Sequence, residues 1–277
     1  MKIGFARILI VAALASVCMF GACAKPEQGP PAQNQSQPSN GKAATTVGVY
    51  RPSNATFYLR TSNMAGNPEM AIAFGPQGNL PLAGDWDGNK TTTIGVYRPA
   101  EATFYLRNTN SPGDADVMVA FGAKGAEPVV GDWDGNGTVT VGIYNPNESI
   151  FYLRNSNSSG SADITVPYGV KGDIPLAGDW DGNGTMTIGV YRPSDATFYL
   201  RNSNSPGAAD ITVTYGVKGD IPVVGDWDGN GSVTIGVYRP ADSTFYLRNN
   251  NSQGNADYYV QFGAAGDIPV VGHWEKD

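Results

Sequence analysis

A repeat of 47 residues is the feature that most constrains what this chain can fold into. The segment GDWDGNG, or a variant of it, starts at five equivalent glycines: Gly84, Gly131, Gly178, Gly225 and Gly272. The tryptophans keep the same interval: Trp86, Trp133, Trp180, Trp227 and Trp274. Five such units fill residues 43–277 with nothing left over. A fixed period in the forties predicts a radial or stacked repeat architecture.

Each unit reads as four short strands. In the unit that begins at Asp173, β-rich runs cover residues 174–177, 185–191, 197–201 and 210–215. The separators consist of Gly, Pro, Asn, Asp and Ser, which tolerate turn geometry, and no window has a helical period. Four antiparallel strands repeated radially describe a blade of a β-propeller, and closing the ring removes open sheet edges. The sequence therefore predicts an all-β fold, a five-bladed β-propeller of four-stranded, 47-residue repeats.

The two ends of the repeat region predict how the ring closes. The chain enters residues 45–50 in the second strand of a unit and leaves through residues 268–271, which form a first strand. We therefore expect the C-terminal strand to pair with the N-terminal blade. A glycine inside every second strand, such as Gly48, predicts close approach of a neighbouring blade. The third-strand segment Phe57-Tyr58-Leu59 and its counterparts are expected in the core on both faces.

The first residues differ in kind from the repeats. Lys2 and Arg7 precede a short apolar run over residues 8–20, which is typical of a secretion signal. The following residues, Phe20 to Cys23, resemble the lipobox of bacterial lipoproteins, which implies cleavage before Cys23 and its acylation. Ordinary cleavage with an incidental Cys23 is the alternative. On the lipoprotein interpretation the protein is exported and lipid-anchored to the bacterial cell envelope, at the periplasmic face of the outer membrane or the cell surface.

Three segments follow from this interpretation. Residues 1–22 form the lipoprotein signal peptide, residues 23–42 a disordered Pro/Gln/Ser-rich tether, and residues 43–277 the propeller. The propeller has no cysteine, so disulfides, thiolate metal sites and a cysteine nucleophile are excluded there. The net charge of −7 argues against a nucleic-acid partner, because phosphates require a basic surface.

The sequence GDWDGNG, followed by GVYRP and FYLR, resembles the bacterial FG-GAP/VCBS-type propeller repeat, which is related in pattern to integrin α subunits. The resemblance implies that calcium binds the Asp-rich loop through side-chain oxygens at loop positions 1, 3, 5 and 9. The candidate ligands at positions 1, 3 and 5 are Asp85, Asp87, Asn89, Asp132, Asp134, Asn136, Asp179, Asp181, Asn183, Asp226, Asp228 and Asn230. Position 9 carries Thr93, Thr140, Thr187 or Thr234. The alternative is that these side chains cap their own turns through backbone N–H groups.

The loops of a propeller alternate between its two faces, and the face opposite the Asp-rich loops carries basic residues. The candidate ligand-binding residues on that face are Arg51, Arg98, Arg192, Arg239, Lys124, Lys171 and Lys218, with Asn145 interrupting the arginines. They suit anionic or hydroxyl-rich ligands. The alternative is that each arginine pairs with an aspartate such as Asp173, Asp220 or Asp267. The tryptophans suit either stacking on sugars or, as we expect, packing between blades. A second arginine set, beginning with Arg60, is expected to pair with the acid that opens the fourth strand.

Five near-copies of every group leave no asymmetric set for catalysis, so we expect no enzyme. The sequence predicts a monomeric, multivalent binding module that recognises glycans or surface proteins in a lectin-like manner. An assembly scaffold for envelope proteins is the alternative, and a hydrolase is a more distant one. Contact with the membrane is expected through the lipid anchor alone.

Overall fold

The computed structural model describes residues 44–275. The predicted signal peptide, the lipidation site Cys23 and the predicted tether therefore lie outside the described residues. Within residues 44–275 the chain forms twenty β-strands and no helix. Correspondingly, none of the described segments is a helix that could cross a membrane.

The strands fall into four classes of five. The first strands are β4 (Leu80–Gly84), β8 (Glu127–Gly131), β12 (Ile174–Gly178), β16 (Ile221–Gly225) and β20 (Ile268–Gly272). The second strands are β1 (Thr46–Arg51), β5 (Thr93–Arg98), β9 (Thr140–Asn145), β13 (Thr187–Arg192) and β17 (Thr234–Arg239). The third strands are β2 (Thr56–Leu59), β6 (Thr103–Leu106), β10 (Ile150–Leu153), β14 (Thr197–Leu200) and β18 (Thr244–Leu247). The fourth strands are β3 (Met70–Ala73), β7 (Val117–Ala120), β11 (Ile164–Pro167), β15 (Ile211–Thr214) and β19 (Tyr258–Gln261).

These strands form five separate antiparallel sheets of four, each in the order first, second, third, fourth. The first strands contact one another in a closed cycle, β4 to β8 to β12 to β16 to β20 and back to β4. The predicted five-bladed β-propeller is thus confirmed. Blade 1 has the order β20-β1-β2-β3, and blades 2 to 5 follow in chain order. β20 pairs with β1 from Thr46↔Gly272 to Tyr50↔Ile268, so the predicted closure by the C-terminal strand is also confirmed.

Backbone hydrogen bonds tie each blade to the next. The N–H of Val139 in blade 3 donates to the carbonyl of Asp85 in blade 2 at 2.7 Å. Equivalent bonds join the four remaining pairs of adjacent blades: Met186 to Asp132, Val233 to Asp179, Thr45 to Asp226 and Thr92 to His273. Four of the acceptors are the first aspartate of an Asp-rich loop, and the fifth, His273, occupies the same position in the last repeat. The loop that the repeat preserves most strongly therefore joins neighbouring blades.

Aromatic residues form the core between the sheets. The tyrosine of each second strand contacts the phenylalanine of the third, as in Tyr50 and Phe57, whose ring centroids lie 4.8 Å apart. Both side chains are fully buried in all five blades, with one tyrosine 1 % exposed. All five tryptophans are buried in clusters that include residues of the next blade, so the prediction that they pack between blades is confirmed. They are not available to stack on a sugar.

The space beside the glycines inside the second strands is filled first by side chains of the same blade, whereas the sequence predicted a neighbouring blade. A Cβ added at Gly48 would lie 2.8 Å from the Leu59 side chain and 3.1 Å from Val270, both in the same blade. The leucine of the third strand occupies the space over the glycine. The close approach is real, but it lies within the blade.

Gly178→Ala tests another close approach, that of a tryptophan to the end of a first strand. A Cβ at Gly178 would lie 2.5 Å from the Trp180 ring and 2.7 Å from Val233 of the next blade. Because neither neighbour is a flexible chain end, we expect the substitution to lower the free energy of unfolding by about 2 kcal/mol. Urea denaturation measures the change. An unchanged midpoint would show that the ring shifts without cost.

Candidate ligand-binding clefts

The Asp-rich loops are closed by their own hydrogen bonds. In blade 2, Asp85 Oδ1 accepts the N–H groups of Gly88 and Asn89, and Oδ2 accepts that of Lys90 at 2.6 Å. Asn89 Oδ1 accepts the N–H of Thr91. The loops that begin at Asp132, Asp179 and Asp226 repeat the pattern. Desolvation raises the pKa of Asp85 and Asp226, and the backbone donors act in the opposite direction. The first carboxylate thus caps the turn.

This arrangement does not complete the calcium ligand set that the family resemblance implies. The hydroxyl at position 9 is buried and directed at the backbone: Thr93 Oγ1 donates to the carbonyl of Arg107 at 2.7 Å. Within residues 44–275, no group of three or more His, Cys, Asp or Glu side chains has the arrangement of a metal site. The loop geometry is accounted for by turn capping alone, and calcium binding stays a prediction.

Asp179→Ala distinguishes capping from metal binding. We expect it to lower the free energy of unfolding by about 1 kcal/mol in chelator and in calcium alike, because the N–H of Gly184 loses its acceptor and that of Asn183 keeps only the longer bond to Asp181. Asp181→Ala is the matched control, since Asp181 makes a single 3.3 Å bond and is expected to cost less than about 0.5 kcal/mol. A loss that appears in calcium but not in chelator would contradict capping and establish the metal.

On the opposite face, three of the four predicted ligand-binding arginines are held in bidentate ion pairs with aspartates. Arg192 Nε and Nη2 donate to the two oxygens of Asp173 at 2.8 and 2.9 Å. Arg51 with Asp267 and Arg239 with Asp220 repeat this bidentate pair. The aspartates are almost fully buried, and each also accepts a backbone N–H of its own turn. Hydrogen bonding to the aspartate raises the pKa of each arginine. The alternative of arginine–aspartate pairing is therefore what the structure shows.

Blades 2 and 3 depart from this pattern. Asn79 stands where the aspartate would be in blade 2, and Arg98 binds Glu101 at 2.9 Å instead. In blade 3, Ala126 replaces the aspartate and Asn145 replaces the arginine. The predicted lysines Lys124, Lys171 and Lys218 are exposed, and none of them forms an ion pair within the described residues. The five copies are therefore not equivalent on this face.

The second set of arginines pairs as predicted with the acid that opens the fourth strand. Arg60 contacts Glu69 at 3.1 Å. The equivalent pairs are Arg107 with Asp116, Arg154 with Asp163, Arg201 with Asp210 and Arg248 with Asp257. Each arginine also donates to carbonyl groups in its own third-to-fourth-strand loop, as Arg107 does to Asp114 at 2.5 Å. These arginines hold the loop and are engaged within the protein.

Clefts lie between adjacent blades. In each, the end of the fourth strand of one blade faces the second and third strands of the next blade, and in three of them the second-to-third-strand turn of the first blade also lines the cleft. The volume is about 570 Å³ between blades 2 and 3, 390 Å³ between 1 and 2, 370 Å³ between 3 and 4, and 430 Å³ between 5 and 1. We call them clefts 2/3, 1/2, 3/4 and 5/1.

Every cleft contains a tyrosine that the sequence analysis had placed in the core: Tyr58, Tyr105, Tyr152 or Tyr199. The flanking Phe57 and Leu59 are fully buried, but Tyr58 is half-buried and faces the cleft. These tyrosines are half-buried and pack against the core, but they also face the clefts, so the expectation of a core position on both faces of the third strand holds only in part. Each hydroxyl is bonded to the second-to-third-strand turn, as in Tyr105 to Glu101 at 2.6 Å. Hydrogen bonds from Tyr105 and then Arg98 lower the pKa of Glu101.

Comparison with protein-family models and with curated proteins returned no match. Among solved structures, the chain is similar to an Agrocybe aegerita lectin described as recognising non-reducing terminal N-acetylglucosamine. The identity is 17 %, the TM-score is 0.43, and 74 % of this chain is covered. The chain spans 59 % of the length of that lectin. The five-bladed fold is established by the strand topology itself, and membership of the FG-GAP/VCBS group stays a prediction.

Two sequence signals pointed to the clefts and were overlooked. The period-2 alternation of a strand places Tyr58 on the face opposite Phe57 and Leu59. An acid precedes the tyrosine by four residues in four of the five units: Glu101, Glu148, Asp195 and Asp242. Together these features place a tyrosine next to a turn carboxylate at the surface, which is an arrangement suited to a ligand and not required by a core.

Proposed function

We propose that the protein is a non-enzymatic binding module that takes sugar residues of glycans in the clefts between its blades. The observation that carries the proposal is the repeated cleft, in which an aromatic ring, a turn carboxylate and further polar groups converge. The volumes of 370–570 Å³ fall within the range of small-molecule sites. The proposed ligand sites are therefore the clefts, and not the ring of basic side chains that the sequence predicted.

Sugars match the chemistry of these clefts. A sugar ring presents apolar C–H faces together with many hydroxyl groups, so it requires an aromatic or aliphatic surface with donors and acceptors at its rim. The carboxylates of Glu101 and Glu148 are accepting groups on rigid turns, and Lys124 is an exposed donor at the rim of cleft 2/3. Because the sheets fix their positions, little ordering entropy is lost on binding.

The repeat adds avidity to such sites. Several clefts on one rigid ring bind a surface glycan array more tightly than one cleft binds a free sugar, because the second contact becomes intramolecular. Anchoring at the bacterial cell envelope through an acylated Cys23 belongs to the same proposal. A tethered ring with several clefts suits adhesion of a cell to a glycan-bearing surface.

The test uses the chain from residue 43 onward, since the ring closes within residues 44–275. Its binding to a panel of bacterial and host glycans is measured in calcium and in chelator. Saturable binding in both conditions is expected, because the Asp-rich loops lie on the face away from the second-to-third-strand turns that line the clefts. Binding in calcium alone would instead implicate the Asp-rich loops.

Absence of binding to every glycan would overturn the proposal. The remaining candidate is then a scaffold for envelope proteins, and capture of partners from an envelope extract becomes the next measurement.

A further inference from the structure

Arginine side chains cover the tyrosine rings in four of the five blades. The guanidinium carbon of Arg98 lies 4.2 Å from the centroid of the Tyr105 ring. The equivalent distances are 4.6 Å for Arg51 and Tyr58, 4.4 Å for Arg192 and Tyr199, and 4.3 Å for Arg239 and Tyr246. These are cation–π contacts, which are themselves favourable. A sugar that stacked on one of these rings would first have to displace the guanidinium.

Strand register explains the stack. In blade 1, Arg51 is opposite Thr56 and Val49 is opposite Tyr58, so Arg51 and Tyr58 are diagonal neighbours on the same face of the sheet. In blades 1, 4 and 5 the buried aspartate fixes the arginine from the other side. In blade 2, Glu101 binds Arg98 in place of the aspartate. Each of these guanidinium groups therefore contacts a tyrosine ring on one side and a carboxylate on another.

Blade 3 is the exception. Asn145 replaces the arginine and turns back onto its own loop, where its Oδ1 accepts the N–H of Asn147 and its Nδ2 donates to Glu148 at 2.7 Å. Ala126 replaces the aspartate. Within the described residues no cation lies over the Tyr152 ring, and cleft 2/3 is the largest of the four clefts described above.

The enlarged cleft has a mixed lining. Ala120, Phe121, Ala126 and Ile143 contribute apolar surface. Lys124, Asn147 and the carboxylate of Glu101 contribute donors and acceptors. Apolar surface together with hydrogen-bonding groups is what one face and the edge of an uncharged sugar ring require.

We infer that cleft 2/3 is the principal binding site of the ring and that it takes one uncharged sugar residue stacked on Tyr152. The other clefts bind more weakly, through hydrogen bonds at the rim without stacking. This inference rests on the proposed glycan-binding function and narrows it, because it replaces equivalent sites by one distinct site. The repeat then provides the rigid ring, and the irregular third blade provides the one cleft in which a sugar can stack on a tyrosine.

The experiment fills cleft 2/3 with the pair that other blades carry. Cellobiose, lactose and N,N′-diacetylchitobiose are the probes, and calorimetry gives the number of sites and the dissociation constants. For the strongest probe we expect one site that is at least about tenfold tighter than the rest. The double variant A126D/N145R is expected to lose that site and retain the weak ones. Three blades of the natural chain carry the same Asp–Arg pair, so the variant is compatible with the fold.

The reverse exchange supplies the matched control. D173A/R192N gives blade 4 the residues of blade 3 and uncovers Tyr199. A second stacking site is expected, which raises the number of tight sites from one to two. Thermal unfolding of both variants verifies that the ring is intact.

The outcomes separate the two proposals. Equal binding at all clefts, or tight binding that survives in A126D/N145R, would overturn the principal site and leave the glycan-binding function standing. Failure of all three probes, combined with failure of the wider glycan panel, would overturn both.

Discussion

A chain that ends at Gly266, and therefore lacks β20 and Trp274, is expected not to fold as a cooperative monomer. β20 supplies the first strand of blade 1 and pairs with β1 from Thr46 to Tyr50. Its removal exposes Val47 and Val49, which are fully buried, and breaks the hydrogen bond from Thr92 to His273 between blades 1 and 2. Loss of a buried tryptophan alone costs about 3–5 kcal/mol, against a typical total stability of about 5–15 kcal/mol.

Near-ultraviolet circular dichroism and size-exclusion chromatography of the truncated chain measure this loss. A chain that ends at Glu275 is the control, because it keeps β20 and Trp274, and we expect it to be a folded monomer. A truncated chain that still unfolds in one sharp transition would contradict the expectation and show that four blades hold without closure.

A circular permutant separates the loss of the strand from the loss of the chain end. Joining Asp277 to Ala43 and starting the chain at Asp267 makes blade 1 continuous. The new loop, residues 273–277 and 43–45, then has the same length as residues 179–186 between β12 and β13. We expect the permutant to fold as stably as the natural chain. Failure of the permutant would show that more than strand pairing is required at this junction.

The fold was predictable because its determinants are local and repeated five times. Each unit carries its own turns and strand alternation, so the blade could be read from the unit that begins at Asp173 alone. Closure followed from the positions of the first and last strands. The pairing of Arg60 with Glu69 was also predictable, because both lie at the same ends of adjacent antiparallel strands.

The site was less predictable because it depends on contacts between blades and on differences among the copies. The sequence shows that Asn145 breaks the series of arginines, but not that Arg98 and its equivalents lie over tyrosine rings. That contact depends on strand register, which a reading by segments leaves out. The volume of cleft 2/3 depends on Ala126 and Asn145 together, and these residues belong to different strands and loops. A repeat also draws attention to what is conserved between copies, whereas here the exception is informative.

Asp220→Ala is expected to lower the free energy of unfolding by about 3 kcal/mol, the lower end of the range for breaking a buried ion pair. The substitution leaves the Arg239 guanidinium without its bidentate partner and the N–H of Val217 without its acceptor. The Asp220 side chain is 1 % exposed and that of Arg239 is 27 % exposed, so water compensates for only part of the loss. Urea denaturation measures the change.

The double variant D220A/R239N shows whether the loss of stability comes from the unpaired charge of Arg239. Blade 3 carries this combination naturally, as Ala126 and Asn145, and it forms the same four strands. Since no unpaired guanidinium remains, the double variant is expected to recover at least half of the stability that Asp220→Ala removes. R239N alone completes the thermodynamic cycle, and the coupling between the two sites is expected to exceed about 1 kcal/mol. Simple additivity of the two single changes would contradict this account, and the aspartate would then stabilise the ring through its turn alone.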